Sequence, residues 1–277
     1  MRQREQSAAP SPIEQDRLVL RLHDSPRHPR LIHLPGLHGD WTMLAPFRSA
    51  LAGNACLIET TYPRQTTWAL NDYAGALENV LLENGVTNGW LLGESFSSQV
   101  AWQFLARQQA SEHPARFRVD GLILVGGFVR HPWPWAVKLA HTASRAVPMR
   151  LLRSLCRLYV APARRRFCHN PEAVSELAEF VERRTNDCDR RAITSRYCLI
   201  AGNDPSPVAH RATLPVFHLS GAWDPIVPWW QVRPWLRRHC PGYRASRILH
   251  HAGHNVLLSA PEESAAQILA WVRHATP

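Results

Sequence analysis

Lysine is almost missing from this chain of 277 residues, although its formal net charge is +10. Lys138 is the only lysine among 32 basic residues, so the positive charge comes from arginine, a skew that a GC-rich coding bias would also produce. Nucleic-acid binding requires basic residues interleaved with stacking aromatics. The run Arg164–Arg166 has Phe167 as its only neighbouring aromatic residue, so we expect no nucleic-acid partner.

Long apolar runs, paired cysteines and an apolar leader are also absent from the sequence. No apolar run reaches the roughly 18 residues that a membrane-spanning helix needs. Residues 1–15 lack the apolar stretch of a secretory signal, and we expect them to form a disordered lead. The six cysteines form no Cys-x-x-Cys pair, which indicates reduced thiols in a cytoplasmic protein rather than a zinc or redox site.

Short apolar runs alternate with longer amphipathic stretches over most of the chain. Alternating strands and helices predict an α/β fold, with a mostly parallel central sheet flanked by helices. The predicted strands are residues 17–22, 31–34, 55–58, 90–92, 122–125, 216–219 and 247–250. The predicted helices around this sheet are residues 42–51, 69–84, 96–107, 229–238 and 261–273.

The alternation breaks at residues 128–213, which separate two predicted strands by far more chain than a simple crossover needs. Amphipathic helices are predicted at residues 138–159 and 171–184. We interpret the whole segment as a helical cap inserted into a core made of residues 16–127 and 214–277. The cap holds 15 basic residues against seven acidic ones, so it carries most of the positive charge.

A sharp strand-to-helix turn is predicted at Gly93-Glu94-Ser95-Phe96-Ser97. A serine in such a turn is held in a strained conformation that projects its hydroxyl outward. Ser95 is therefore the candidate nucleophile. The N–H of Phe96 lies where the helix starts and is suited to bind developing negative charge. Ser97 stands where this turn usually has glycine.

A second turn, Leu34-Pro35-Gly36-Leu37-His38-Gly39, directly follows another predicted strand. Its glycines allow the backbone to aim the N–H of Leu37 at the serine. Two such donors, from Leu37 and Phe96, would form an oxyanion hole, in which the loss of one donor typically costs about 10²–10³ in rate.

An acid and an imidazole follow the last two predicted strands. A serine hydroxyl needs a base to take its proton, and the base needs an acid to hold its tautomer. Asp224 and His254 supply both in the chain order Ser, Asp, His. Asp204 and His251 remain alternatives. The spacing His251-x-x-His254 lacks the helix and glutamate of a zinc protease, so no metal is expected.

Four motifs together carry a resemblance to a known family: LPGLHGD, LLGESFSS, GAWDPIVP, and HHAGH with a proline seven residues after its last histidine. The chain resembles bacterial alpha/beta-hydrolases with an inserted cap, from about residue 17 to residue 271. The resemblance implies the alpha/beta-hydrolase fold and a reaction that needs no cofactor or metal. Position by position, it implies a nucleophile, a base, an orienting acid and two oxyanion donors at Ser95, His254, Asp224, Leu37 and Phe96. Pro35 departs from the family, which commonly has histidine there.

These residues predict a serine hydrolase that cleaves carboxylic ester or thioester bonds through an acyl-enzyme. The basic cap favours an anionic substrate or carrier. Three alternatives remain open. The same triad would serve an acyltransferase, and the same fold would serve a non-catalytic binding protein. A basic helix with one apolar side at residues 138–159 would also suit a peripheral membrane protein.

Overall fold

The computed structural model describes residues 17–23, 29–110, 115–183 and 186–275, and the lead predicted for residues 1–15 lies outside these ranges. The strands are β1 (Val19–His23), β2 (Arg30–Leu34), β3 (Cys56–Thr61), β4 (Asn88–Glu94), β5 (Arg118–Val125), β6 (Val216–Gly221) and β7 (Tyr243–Leu249). They form one sheet in the order β1-β3-β2-β4-β5-β6-β7, antiparallel between β1 and β3 and parallel elsewhere. The mostly parallel sheet predicted from the sequence is confirmed.

Helices cover both faces of this sheet because its inner strands are apolar on both sides. In β5, the buried Leu122 and Leu124 belong to one hydrophobic cluster, whereas the buried Ile123 and Val125 belong to the other. The helices outside the β5–β6 connection are α1 (Ala45–Leu51), α2 (Leu70–Glu83), α3 (Ser97–Ala110), α9 (Trp229–His239), α10 (Val256–Ser259) and α11 (Pro261–Ala275). No helix in the described ranges is long and apolar enough to cross a membrane.

Within the described part of the connection between β5 and β6 there are five helices, and we call them the cap helices. They are α4 (Pro134–Ala146), α5 (Met149–Arg166), α6 (Pro171–Arg183), α7 (Asp187–Gly202) and α8 (Ser206–Ala209). The single helix predicted at residues 138–159 is wrong, because the chain breaks between α4 and α5. Val147 is extended, with ψ of 124°, since the following Pro148 disfavours helical backbone before it.

Buried charges fasten the cap helix α6 to the core. The Glu176 carboxylate accepts the N–H groups of Met43 (3.3 Å) and Ala45 (2.9 Å) at the start of α1, and it pairs with Arg48 at 2.8 Å. Arg48 also pairs with Glu59 of β3 at 2.7 Å. These contacts join the cap to the sheet through buried charged groups that have hydrogen-bonding or ionic partners, so the two parts pack in one defined arrangement.

The Glu59 carboxylate is the innermost charge of this network. Burial would raise its pKa, but the hydrogen bond from His23 and the charges of Arg21 and Arg48 hold the pKa at about 2. Glu59 therefore stays ionised and keeps its cationic partners in place at any ordinary pH.

Candidate active site

Ser95 lies in the sharp turn between β4 and α3. Its φ is 48°, in the left-handed region that is strained for a residue with a side chain. Its N–H donates to the carbonyl of Val125 at 2.9 Å, which ties the turn to the neighbouring strand. A Cβ on Gly93 would lie 3.2 Å from the Ser97 carbonyl oxygen and the Ser98 Cα, so the close strand–helix approach favours glycine there.

The imidazole of His254 lies between Ser95 and Asp224. His254 Nε2 is 2.9 Å from Ser95 Oγ, and His254 Nδ1 is 2.8 Å from Asp224 Oδ2. The other carboxylate oxygen of Asp224 accepts the N–H groups of Ile226 (2.8 Å) and Val227 (2.9 Å). The acid is thereby fixed, and with Nδ1–H directed at it, Nε2 is left to accept the serine proton.

The alternative acid and base lie elsewhere. Asp204 is about half exposed and accepts hydrogen bonds from Ser206, and Arg130 lies 3.6 Å from it. His251 is exposed at the surface. Of the candidate residues, the structure joins Ser95, His254 and Asp224 through two hydrogen bonds, both made by His254.

The Ser97 hydroxyl has a role that a glycine could not fill. It donates a short hydrogen bond to the carbonyl of Pro35 and accepts one from the Tyr62 hydroxyl at 2.6 Å. Ser97 is fully buried, so both bonds are shielded from water. The two positions that depart from the family pattern, Ser97 and Pro35, are thus bonded to each other. They connect the serine turn to the turn that carries Leu37.

Arg196 of α7 reaches from the cap into the same region. It is fully buried, and its guanidinium donates to the carbonyls of Leu37 (2.9 Å) and Pro63 (3.1 Å). Its Cζ lies 5.9 Å from the centre of the Phe96 ring. Gly39 has φ of +80°, and a Cβ there would collide with this guanidinium. Within the described ranges no carboxylate pairs with Arg196. No pattern in the sequence pointed to this residue, because α7 was not predicted.

The two expected oxyanion donors lie on the elements just described. The N–H of Phe96 directly precedes α3, and the N–H of Leu37 belongs to the turn held by Arg196 and Ser97. Among hydrogen bonds between described residues, neither N–H has an acceptor.

A buried acid adjoins the nucleophile. Glu94 precedes Ser95, and its carboxylate lies 3.0 Å from His33 Nε2. Burial would raise its pKa, but the hydrogen bond from His33 and the charges of His33, His38 and His254 hold the pKa at about 2. Glu94 therefore stays ionised and places a fixed negative charge next to the nucleophile.

A cavity of about 630 Å³ opens over Ser95 and His254. Its walls are mostly apolar and come from both the core and the cap. Cap residues that line it include Trp133, Val137, Leu152, Phe180 and Ile200. Such a space is typical of a pocket for a small organic ligand.

The model of the alpha/beta hydrolase family matches residues 31–267. No curated protein matches the chain significantly. Among solved structures, an esterase from Thermogutta terrifontis is 19% identical, with 94% of each chain covered and a TM-score of 0.71. An esterase from Exiguobacterium antarcticum is 15% identical, with 92% of this chain and 95% of that chain covered and a TM-score of 0.70. An enol-lactonase from Burkholderia xenovorans is 17% identical, with coverages of 92% and 96% and a TM-score of 0.71.

Proposed function

The chain belongs to the alpha/beta hydrolase family, and we propose that it is a serine hydrolase that cleaves carboxylic ester or thioester bonds. The observation that carries the proposal is the pair of hydrogen bonds at His254, 2.9 Å to Ser95 and 2.8 Å to Asp224. Strain in the Ser95 backbone supports it, since such strain concentrates at functional sites.

In the proposed reaction, Ser95 Oγ attacks the acyl carbonyl while His254 Nε2 takes its proton. The carbonyl oxygen becomes an oxyanion, which the N–H groups of Leu37 and Phe96 stabilise. The intermediate then expels an alcohol or thiol, to which His254 returns the proton. Water, activated by the same imidazole, releases the acid from the acyl-enzyme and restores Ser95.

The cavity walls favour an apolar acyl group. The guanidinium among the lining residues, that of Arg190, is engaged with the carbonyls of Ser144 and Arg145. The arginines of α5 lie exposed on the outside of the cap. We therefore place any preference for an anionic partner on the outer surface rather than at the acyl site. Two of the similar structures are named esterases and one a lactonase, in keeping with ester chemistry.

Turnover of a graded panel of acyl esters and acyl thioesters tests this proposal. We expect saturable hydrolysis, with a mass increase on the wild type equal to the acyl group less the one hydrogen that it replaces, and no increase on Ser95→Ala. If an added alcohol takes the acyl group from the acyl-enzyme faster than water does, the enzyme is an acyltransferase that uses the same intermediate. Equal turnover by wild type and Ser95→Ala would contradict the proposal, and absence of both turnover and acylation would favour a binding protein.

A further inference from the structure

Large apolar side chains are exposed around the mouth of the cavity. Trp135 (64% exposed), Leu155 (49%) and Ile226 (49%) line the cavity and also face solvent, so they mark its rim. Other exposed large apolar residues of the cap, the β6–α9 loop and the first turn of α9 are Leu139, Leu151, Leu158, Tyr159, Trp223 and Trp230. Single exposed apolar residues are ordinary, but a concentration of them around one opening indicates an interaction surface.

Helix α5 contributes four of these nine exposed apolar residues, more than any other helix or loop, and is itself poorly buried. It has 18 residues, of which only Val160 is buried. Leu151, Leu155 and Leu158 follow the i, i+4, i+7 spacing, so they form one apolar stripe at the margin of the cavity that Leu155 lines, and each is about half exposed or more. An apolar stripe on a helix of this length is costly in water unless a partner covers it.

The same helix is strongly basic. It carries six exposed arginines and no carboxylate, and their positions are 150, 153, 157, 164, 165 and 166. Arg166 contacts the core through the Ser259 carbonyl and Glu262. An exposed apolar stripe beside a band of arginines is the pattern of a helix that lies in the interface of an anionic bilayer.

We propose that α5 and the rim of the cavity dock on an anionic lipid surface, with the cavity mouth turned toward the bilayer. The exposed tryptophans Trp135, Trp223 and Trp230 fit this partner, since tryptophan favours the headgroup region of membranes. The proposal deepens the proposed function, because a docked mouth would admit acyl esters directly from the lipid phase.

Charge favours lipid over a second copy of this chain. A twofold contact through α5 would bring two arginine-rich faces together with no carboxylate on either helix to neutralise them. Anionic headgroups would neutralise the same arginines, at roughly fivefold in binding per arginine close to the surface.

Flotation with phosphatidylcholine vesicles, with and without phosphatidylglycerol, tests the proposal. We expect binding only to the anionic vesicles, weakened at about 0.5 M salt because surface charges are screened. Leu151→Glu/Leu158→Glu should abolish binding. The matched control is Leu22→Glu, since Leu22 is also about half exposed but lies on β1. Retained binding by Leu151→Glu/Leu158→Glu would overturn the proposal.

A second pair of variants tests the charge. Arg157→Gln/Arg165→Gln should lower binding to anionic vesicles by roughly twentyfold or more. Arg237→Gln/Arg238→Gln, at the exposed end of α9, should leave it unchanged. Equal loss in both pairs would overturn the specific role of α5. The proposal would also be overturned if the protein bound no vesicles but formed a concentration-dependent dimer that Leu151→Glu/Leu158→Glu disrupts.

Two further measurements separate this inference from the proposed function. Ser95→Ala should bind vesicles like the wild type, because docking needs no chemistry. Leu151→Glu/Leu158→Glu should hydrolyse a water-soluble short-chain ester at the wild-type rate, because neither leucine lines the cavity. Loss of soluble-ester hydrolysis in a folded variant would mean that these residues serve catalysis and would contradict the inference.

Discussion

A single hydroxyl, that of Ser97, shows how a departure from a motif is compensated in this protein. Glycine is usual two residues after the nucleophile because helix and strand approach closely there. Here the space accommodates a serine whose hydroxyl joins Pro35 to Tyr62. The turn with the nucleophile and the turn with an expected oxyanion donor are thereby joined by a direct hydrogen bond.

We predict that Ser97→Ala lowers stability by about 1–3 kcal/mol, because it leaves the Pro35 carbonyl buried without its donor. We also expect a several-fold loss of kcat, since the Leu37 turn loses this hydrogen bond. Tyr62→Phe keeps the bond to Pro35 and should cost less kcat. The exposed Ser154→Ala on α5 is the control. Urea unfolding and ester hydrolysis provide the measurements, and an unaffected kcat in Ser97→Ala would contradict this role.

The motif residues were predictable from the sequence, but their supports were not. Ser95, Asp224 and His254 follow strand ends, and the carboxyl ends of parallel strands meet at one edge of the sheet. Glu94 was visible in the serine motif, yet its partner His33 lies 61 residues away and is a neighbour only through the pairing of β2 with β4. Such contacts depend on strand order, which local patterns do not contain.

Among the helices and strands, all seven strands were predicted near their positions, because most of them contain a short buried apolar run. The strand β7 begins four residues before its predicted range, since its first residues include the polar Arg244 and Ser246 and do not form an apolar run. The cap was harder. Val147–Pro148 breaks one amphipathic stretch into α4 and α5. Helix α7 escaped prediction because buried positions such as Asp189 and Arg196 are charged, so the stretch lacks an apolar period. Helices that are held by buried ions do not show the apolar pattern from which helices are recognised.

Helix α7 also links the cap to the expected oxyanion hole through Arg196. We predict that Arg196→Met lowers kcat by tenfold or more with little change in KM, because the Leu37 turn loses its anchor. The full loss of an oxyanion donor, about 10²–10³, is the upper limit. Arg196→Lys keeps the charge and should recover part of kcat.

The control for Arg196 is Arg191→Met, on the exposed side of the same helix. Steady-state kinetics on a soluble ester, with circular dichroism to confirm folding, provide the measurement. A folded Arg196→Met with wild-type kcat would show that Arg196 only packs the cap.

For the molecule as a whole, buried histidine shapes the response to acid. His218 of β6 is fully buried, and burial lowers its pKa from 6.5 to about 4. Between these values the unfolded chain binds a proton that the native state does not. The contribution of His218 to the free energy of unfolding is therefore fully present above about pH 6.5, and it declines as the pH falls toward 4.

We predict that this histidine accounts for about 2–3 kcal/mol of the stability lost between pH 7 and pH 4. His218→Gln should lose correspondingly less over that range. His274→Gln, on the exposed end of α11, should behave like the wild type. Urea unfolding at several pH values measures the difference, and parallel curves for wild type and His218→Gln would contradict the assignment.

Three groups far apart in the chain meet beneath the cap, and catalysis by Ser95 is the inference on which the proposed function depends. Covalent labelling by a fluorophosphonate tests it most directly. We expect one adduct per wild-type molecule, located on Ser95 by peptide mass spectrometry, slow labelling of His254→Gln, and none of Ser95→Ala. Labelling of a folded Ser95→Ala at the wild-type rate would show that the nucleophile is another residue.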